Sequence, residues 1–252
     1  MAVGTKESLS LAPGTEIPAN VSALAAGANL GELRAVEAPR KLGWFIIVIN
    51  VILGLITAFV IVGLWVLWMV AKNPRFSRKQ AAKRVYLFDN GFVYAEADDQ
   101  LTAYRWDQIV TVYQSVRTTR VNGVKTATRY AYTIARVDGV SVTLTNLFGR
   151  IAQIGQWICN RTCEAQLPQA VAAVEQGQTL QFGALAVSAN GLTVRGVEVP
   201  WHSGSIRLQN GFVSVKRAGT MKPLRGVQAS EVPNLYVLLS LTAKYGQATP
   251  GR

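Results

Sequence analysis

Two hydrophobic patterns divide this chain. From Gly43 to Ala71 the residues read GWFIIVINVILGLITAFVIVGLWVLWMVA, a run of 29 with no Asp, Glu, Lys, Arg, His or Pro. From Val85 onward the apolar positions mostly alternate, the period of half-buried strands. As a helix the first stretch would reach roughly 43 Å, longer than a hydrocarbon core of about 30 Å, so it would tilt. Its apolar residues run all round, as in a spanning helix. Trp44 stands near one end and Trp65 and Trp68 near the other, where indole rings favour the membrane interface. The pattern predicts a transmembrane helix over 43–71, read as an uncleaved anchor because the tail before it is too long for a signal peptide. Two alternatives stay open: a buried helix of a large core, and a re-entrant hairpin turning near Asn50 or Gly54. Two full spans would need about 35 residues plus a turn.

The flanks read differently. Residues 1–42 are rich in Ala, Gly, Ser and Pro and predict a disordered polar tail with room for one short helix near Val21–Val36. After the apolar stretch, Asn73-Pro74 breaks the helix, and 72–84 predicts a basic juxtamembrane segment lying on the membrane surface.

The alternating region predicts strands Arg84–Phe88, Phe92–Ala97, Leu101–Trp106, Ile109–Val116, Ala127–Arg136 and Val140–Leu144. Asp89-Asn90-Gly91 is the hairpin turn, and Arg117–Lys125 a polar loop. Ile151, Ile154 and Ile158 fall at helical spacing. Leu167-Pro168 ends that helix, and a second runs over Gln169–Gln176. The pattern then restarts with strand Leu180–Val187 and turn Ala189-Asn190-Gly191. Strands Leu192–Val194, Val197–Trp201, Ser205–Gln209, Phe212–Arg217 and Leu224–Val227 follow, and Pro233 opens a final helix. Asn90-Gly91 matches Asn190-Gly191, and Trp106 matches Trp201. A self-similar unit of this length predicts two domains of one fold, 85–177 and 178–246, with a short tail at 247–252.

Four stretches, YRWDQIVTVYQ at Tyr104–Gln114, LPQAVAAVEQG at Leu167–Gly177, QFGALAVSANG at Gln181–Gly191 and EVPNLYVLLSL at Glu231–Leu241, carry a resemblance. The chain resembles an uncharacterised family of bacterial single-span membrane proteins with tandem pleckstrin-homology-like (PH-like) domains. The resemblance implies an α+β fold: one N-terminal transmembrane helix followed by two PH-like antiparallel sheet domains, each closed by a C-terminal helix. It brings no catalytic residue with it.

Charge sharpens this picture. The net charge of +12 is the sum of 0 before the basic segment, +6 over Lys72–Arg84, 0 over Val85–Gly177 and +6 over Gln178–Arg252. Lys72, Arg75, Arg78, Lys79, Lys83 and Arg84 form a candidate membrane-surface site. They also place the C-terminal domains on the cytoplasmic side by the positive-inside rule. Lys216, Arg217, Lys222 and Arg225 form a second candidate basic patch. The loop between the first two strands of the second domain holds no base, against phosphoinositide recognition of the PH type. His202 is the one histidine, and Cys159 and Cys163 with it make no four-ligand zinc set. No phosphate-binding glycine loop stands between a strand and a helix. No catalytic, cofactor-binding or metal-ligating residue is expected, and no cofactor. The chain reads as a membrane-anchored binding or scaffold protein, not an enzyme. Its expected partners are the bilayer, spanned once, anionic lipid headgroups and an unidentified protein. The alternatives are a membrane-tethered nucleic-acid or acidic-partner binding protein, ranked low because the anchor accounts for half the charge, and an accessory or sensor subunit of a membrane complex.

Overall fold

The computed structural model describes residues 17–39, 48, 49, 52, 68, 78–121, 124–209, 211–217 and 226–246. They divide into two compact units, one drawn from Met1–Arg105 with Leu147–Arg150, the other from Trp106–Asn146 with Ile151–Arg252. The cut at Arg105–Trp106 falls inside the first of the two expected domains.

The first unit starts with α1 (Ala19–Gly27) and β1 (Leu33–Glu37). The one-turn α2 (Arg78–Ala82) then leads into β2 (Arg84–Phe88), β3 (Gly91–Ala97) and β4 (Gln100–Arg105). The strands form one antiparallel sheet in the order β1-β2-β3-β4. The apolar side chains Val21, Ala25 and Leu30 pack with Tyr86, Phe88, Val93 and Ala95 in one buried cluster. Burial of a Val or Leu side chain is worth about 1.5–3 kcal/mol, so this docking is firm. Backbone and charge add to it. Asp89 N–H donates to Glu32 O at 3.1 Å and Asn90 N–H to Leu30 O at 2.8 Å. Arg34 grips Asp89 with two guanidinium bonds, and the buried Glu37 carboxylate pairs with Arg150.

This architecture corrects the expectation of one transmembrane helix followed by two PH-like domains. The described residues form four small antiparallel sheets with few helices, and no helix among them is long and apolar enough to cross a membrane. The stretch 43–71 lies outside the described residues apart from Val48, Ile49, Ile52 and Trp68, which are helical and exposed. The physical obstacle is β1. It precedes the stretch and β2 follows it, yet the two pair in register, Glu37 opposite Val85. A single crossing would leave them on opposite faces of a bilayer. Within the expected tail, residues 1–16 lie outside the described residues, Ala19–Gly27 is helix and Leu33–Glu37 is strand.

The second unit opens with a 3-10 turn, Trp106–Gln108, then β5 (Ile109–Val121), β6 (Val124–Arg136) and β7 (Ser141–Thr145) in a sheet of that order. Helix α3 (Ile151–Glu175) follows. It runs straight through Pro168, where a break was expected. A helical proline costs about 3 kcal/mol, and Val174, Leu167, Ala170 and Val171 beyond or beside it are packed into the unit's core. Gly177, at φ 81°, ends the segment after the helix, and Gln178 N–H donates back to Ala173 O at 2.9 Å. Strands β8 (Leu180–Phe182), β9 (Leu185–Val187), β10 (Gly191–Val194) and β11 (Val197–Pro200) form an antiparallel meander. One strand was expected over Leu180–Val187; Gly183 turns it into a hairpin at φ 67°. After a 3-10 turn at Trp201–Ser203 come β12 (Gly204–Gln209), β13 (Phe212–Arg217), the short β14 (Val227–Gln228) and α4 (Leu235–Tyr245). Phe182, Leu185, Val199, Val213, Leu238 and Leu241 are at the centre of the core.

In chain order the described elements read twice as a four-stranded sheet, a 3-10 turn opened by Trp, a three-stranded sheet and a helix. The glycines after Asn90 and Asn190 share a cause. A Cβ on Gly91 would meet Tyr104 O at 2.2 Å, and one on Gly191 would meet Val199 O at 2.4 Å. Close approach of the neighbouring strand, and not a positive φ, demands glycine at both places.

Candidate functional site

The feature that stands out chemically is the hairpin of β5 and β6. Each strand has 13 residues, but β7 pairs only with Ala131–Ala135 of β6. The part from Val116 to Tyr130 is therefore a two-stranded ribbon reaching about 20 Å beyond the sheet, at 3.4 Å per residue. Its sequence favours strand, since Val and Thr recur along both arms. Thr118 and Thr128 face each other, Oγ1 to Oγ1 at 3.4 Å, and Thr126 Oγ1 donates to Thr119 O at 3.1 Å. At the root, Asn146 extends the pairing with its side chain: Nδ2 donates to Thr128 O at 3.0 Å, and Oδ1 accepts from Tyr130 N–H.

Charge on the ribbon has one sign. Between Asp107 and Asp138 there are Arg117, Arg120, Lys125, Arg129 and Arg136 and no acid. Arg136 is held by Asp138, whose carboxyl the guanidinium keeps down at about 2. Of the others, Arg117 lies directly opposite Arg129, and Arg120 directly opposite Lys125. Like charges opposed across a sheet destabilise it by a few tenths to about 1 kcal/mol per pair. Arg117 and Arg129 are exposed on one face, while Val116, 41% exposed, is on the other and Val124 near the tip is 66% exposed. An anion between the arginines would relieve the repulsion, and Val124 near the tip offers apolar contact.

The sites expected from sequence are brought together only in part. Lys72 and Arg75 lie outside the described residues. Arg78 and Lys79 stand in α2. Lys83 Nζ is 3.4 Å from Glu96, and Arg84 donates to Ala81 O and Lys83 O, so both are engaged within their own unit. Lys216 and Arg217 end β13, exposed; Lys222 and Arg225 lie outside the described residues. The ribbon was hidden because Arg117–Lys125 reads as a polar loop. Asn122-Gly123 between two β-branched runs is a hairpin signal that could have revealed it.

A family model of unknown function, DUF6585, matches residues 28–250. The chain belongs to that family. No curated protein and no solved structure matches the chain. The DUF6585 match spans β1, the apolar stretch, the ribbon and every later described element, and its description carries no membrane or PH-like assignment.

Other chemistry-bearing groups of this DUF6585 chain sit in its packing. Cys159 and Cys163 are free, buried and one turn apart on α3. Burial, with Cys163 close by, pushes the Cys159 thiol up to about 12, which makes it a poor nucleophile. Both line a small cavity with Val112, Gln114, Thr162 and Asn234. Gln114 Oε1 and Thr162 Oγ1 there have no protein partner, and the space suits about one water molecule. Trp106 meets Trp157 of α3 edge-on at 5.2 Å, and Trp201 stacks on Tyr245 of α4 at 6.1 Å. Each tryptophan thus packs on the helix that follows its sheet. Among the described residues no group of three metal-ligating side chains gathers.

Proposed function

We propose that this chain is a membrane-anchored binding or scaffold protein whose β5–β6 ribbon docks on anionic lipid headgroups. The carrying observation is the ribbon itself: Arg117 and Arg129, both exposed, stand directly opposite each other on one face, and Val124 near the tip is exposed. The uncharged stretch 43–71 supplies the anchor, and anchoring raises the ribbon's effective concentration at the surface. Each base near an anionic leaflet is worth about 1 kcal/mol, fading beyond a Debye length of about 8 Å. The bases flanking the anchor favour the cytoplasmic leaflet, so the sheets are assigned to that side. A protein partner would then be held at the membrane beside the ribbon. A two-stranded ribbon also fits a DNA major groove, but the apolar stretch favours lipid.

The test uses the full chain in nanodiscs, with Val124→Cys carrying an environment-sensitive dye. Dye emission is expected to shift to the blue with anionic lipid, and to lose that shift at high salt or in Arg117→Gln/Arg129→Gln. That double variant should fold at least as stably as the parent, since a repulsive pair is gone. Emission indifferent to lipid charge refutes the docking. A shift in neutral nanodiscs on adding duplex DNA would assign the ribbon to nucleic acid instead.

A further inference from the structure

We infer that the chain enters and leaves the bilayer on one side, so that its N-terminal segment and its sheets share a single face of the membrane. The inference builds on the anchoring role of 43–71 and adds its topology. The decisive residues are those on either side of that stretch. Before it, Val21, Ala25 and Leu30 are buried against Tyr86, Phe88 and Val93, which come after it. β1 pairs with β2 from Leu33–Phe88 to Glu37–Val85. Arg34 is bonded to Asp89, Glu37 to Arg150, and Pro39 bridges to Phe148. Paired residues of neighbouring strands sit about 5 Å apart, whereas a single crossing would part them by about 30 Å of hydrocarbon.

Length decides how the chain gets back. The residues from Lys72 to Arg84 carry six bases and no acid, so they do not recross the hydrocarbon. Both directions of travel therefore fall to the 29 uncharged residues of 43–71. Shared between two arms, they give each about 14 residues, or about 21 Å if helical, short of a core of about 30 Å. Two full crossings are therefore too long for the stretch. Of its residues, Val48, Ile49 and Ile52 in the first half and Trp68 in the second are helical and exposed.

The charge pattern agrees independently. Between Glu37 and Asp89 lie Arg40 and Lys41 before the stretch, and six bases after it, with no acid at all. A single span would carry one of these basic flanks to the far side. One-sided insertion sets both on the same anionic leaflet.

The test labels the full chain in intact cells with a membrane-impermeant maleimide. One variant carries Ser8→Cys and another a cysteine added after Arg252; the parent, whose Cys159 and Cys163 are buried, sets the background. Both sites are expected to stay unlabelled until the cells are permeabilised, and then to label alike. Labelling of one site and not the other in sealed cells overturns the inference. In isolated membranes, Arg34→Cys/Asp89→Cys is expected to cross-link with a short bis-maleimide; strands on opposite faces would not. Alkaline carbonate separates the two readings. Chain released by carbonate refutes the anchor itself, whereas retained chain with termini on opposite sides refutes only the one-sided path.

Discussion

Asn234 is the point where α4 is stitched to β5, and its replacement gives the sharpest stability prediction. The residue sits in the left-handed region at φ 49°, ψ 44°. Its Oδ1 accepts Val112 N–H at 2.8 Å, its Nδ2 donates to Val110 O at 2.7 Å, and its own N–H donates to Val112 O at 3.0 Å. One residue thus does what a neighbouring strand would do for that edge. Val112 is 4% exposed, so in Asn234→Ala its amide loses its partner away from water, at a cost of about 1–3 kcal/mol. Val110 is exposed, and its carbonyl can turn to solvent at little cost. Alanine in the left-handed region adds about 1–2 kcal/mol. The expected loss is about 2–5 kcal/mol. Asn234→Gly removes the same side-chain bonds without the backbone strain, and should recover about 1 kcal/mol of that loss. Denaturant unfolding of the detergent-solubilised chain, followed by tryptophan emission, gives the ranking parent, then glycine, then alanine. Hydrogen exchange reads the mechanism directly, because the Val112 amide should exchange faster in both variants. Alanine within about 0.5 kcal/mol of the parent, with Val112 exchange unchanged, would refute the stitching. Equal losses for glycine and alanine would remove the strain component.

Gly155→Ala sets helix propensity, a gain of about 1 kcal/mol, against a Cβ placed 2.1 Å from the buried Tyr132 ring. Overpacking of about 1–3 kcal/mol should win, so melting should fall, while Gly27→Ala, with nothing within 4 Å, should be neutral or slightly stabilising. Raised pH should weaken the second unit. Burial first, then neighbouring thiols, hold Cys159 and Tyr236 neutral up to about 12. The unfolded groups ionise nearer 9 to 10, so this stability is full below about pH 9 and is lost as pH climbs towards 12. A denaturation midpoint flat from pH 8 to 11 would contradict this; so would rapid reaction of a thiol reagent with the native chain.

The legible parts of this fold are the local ones. The turns at Asn90-Gly91 and Asn190-Gly191, the strand Arg84–Phe88 and the helix from Ile151 are signalled by neighbours in sequence, and the structure has each. What escaped is long-range. Leu33–Glu37 is five mixed residues with no partner nearby in sequence, and pairing across such a gap leaves no local mark. The ribbon escaped for another reason: its arginines and threonines look like solvent-facing loop, although β-branched residues alone would have favoured strand. The internal repeat held the missing clue. In the second copy β8 and β9 are joined by the tight Gly183 turn and begin a four-stranded meander. Reading Leu180–Val187 as one strand erased β8, and with it the requirement for a matching strand ahead of β2. Once β8 is restored, its counterpart can only lie before the apolar stretch, at β1. The stretch is then a long insertion in a hairpin connection, and a hairpin returns its chain to the place it left.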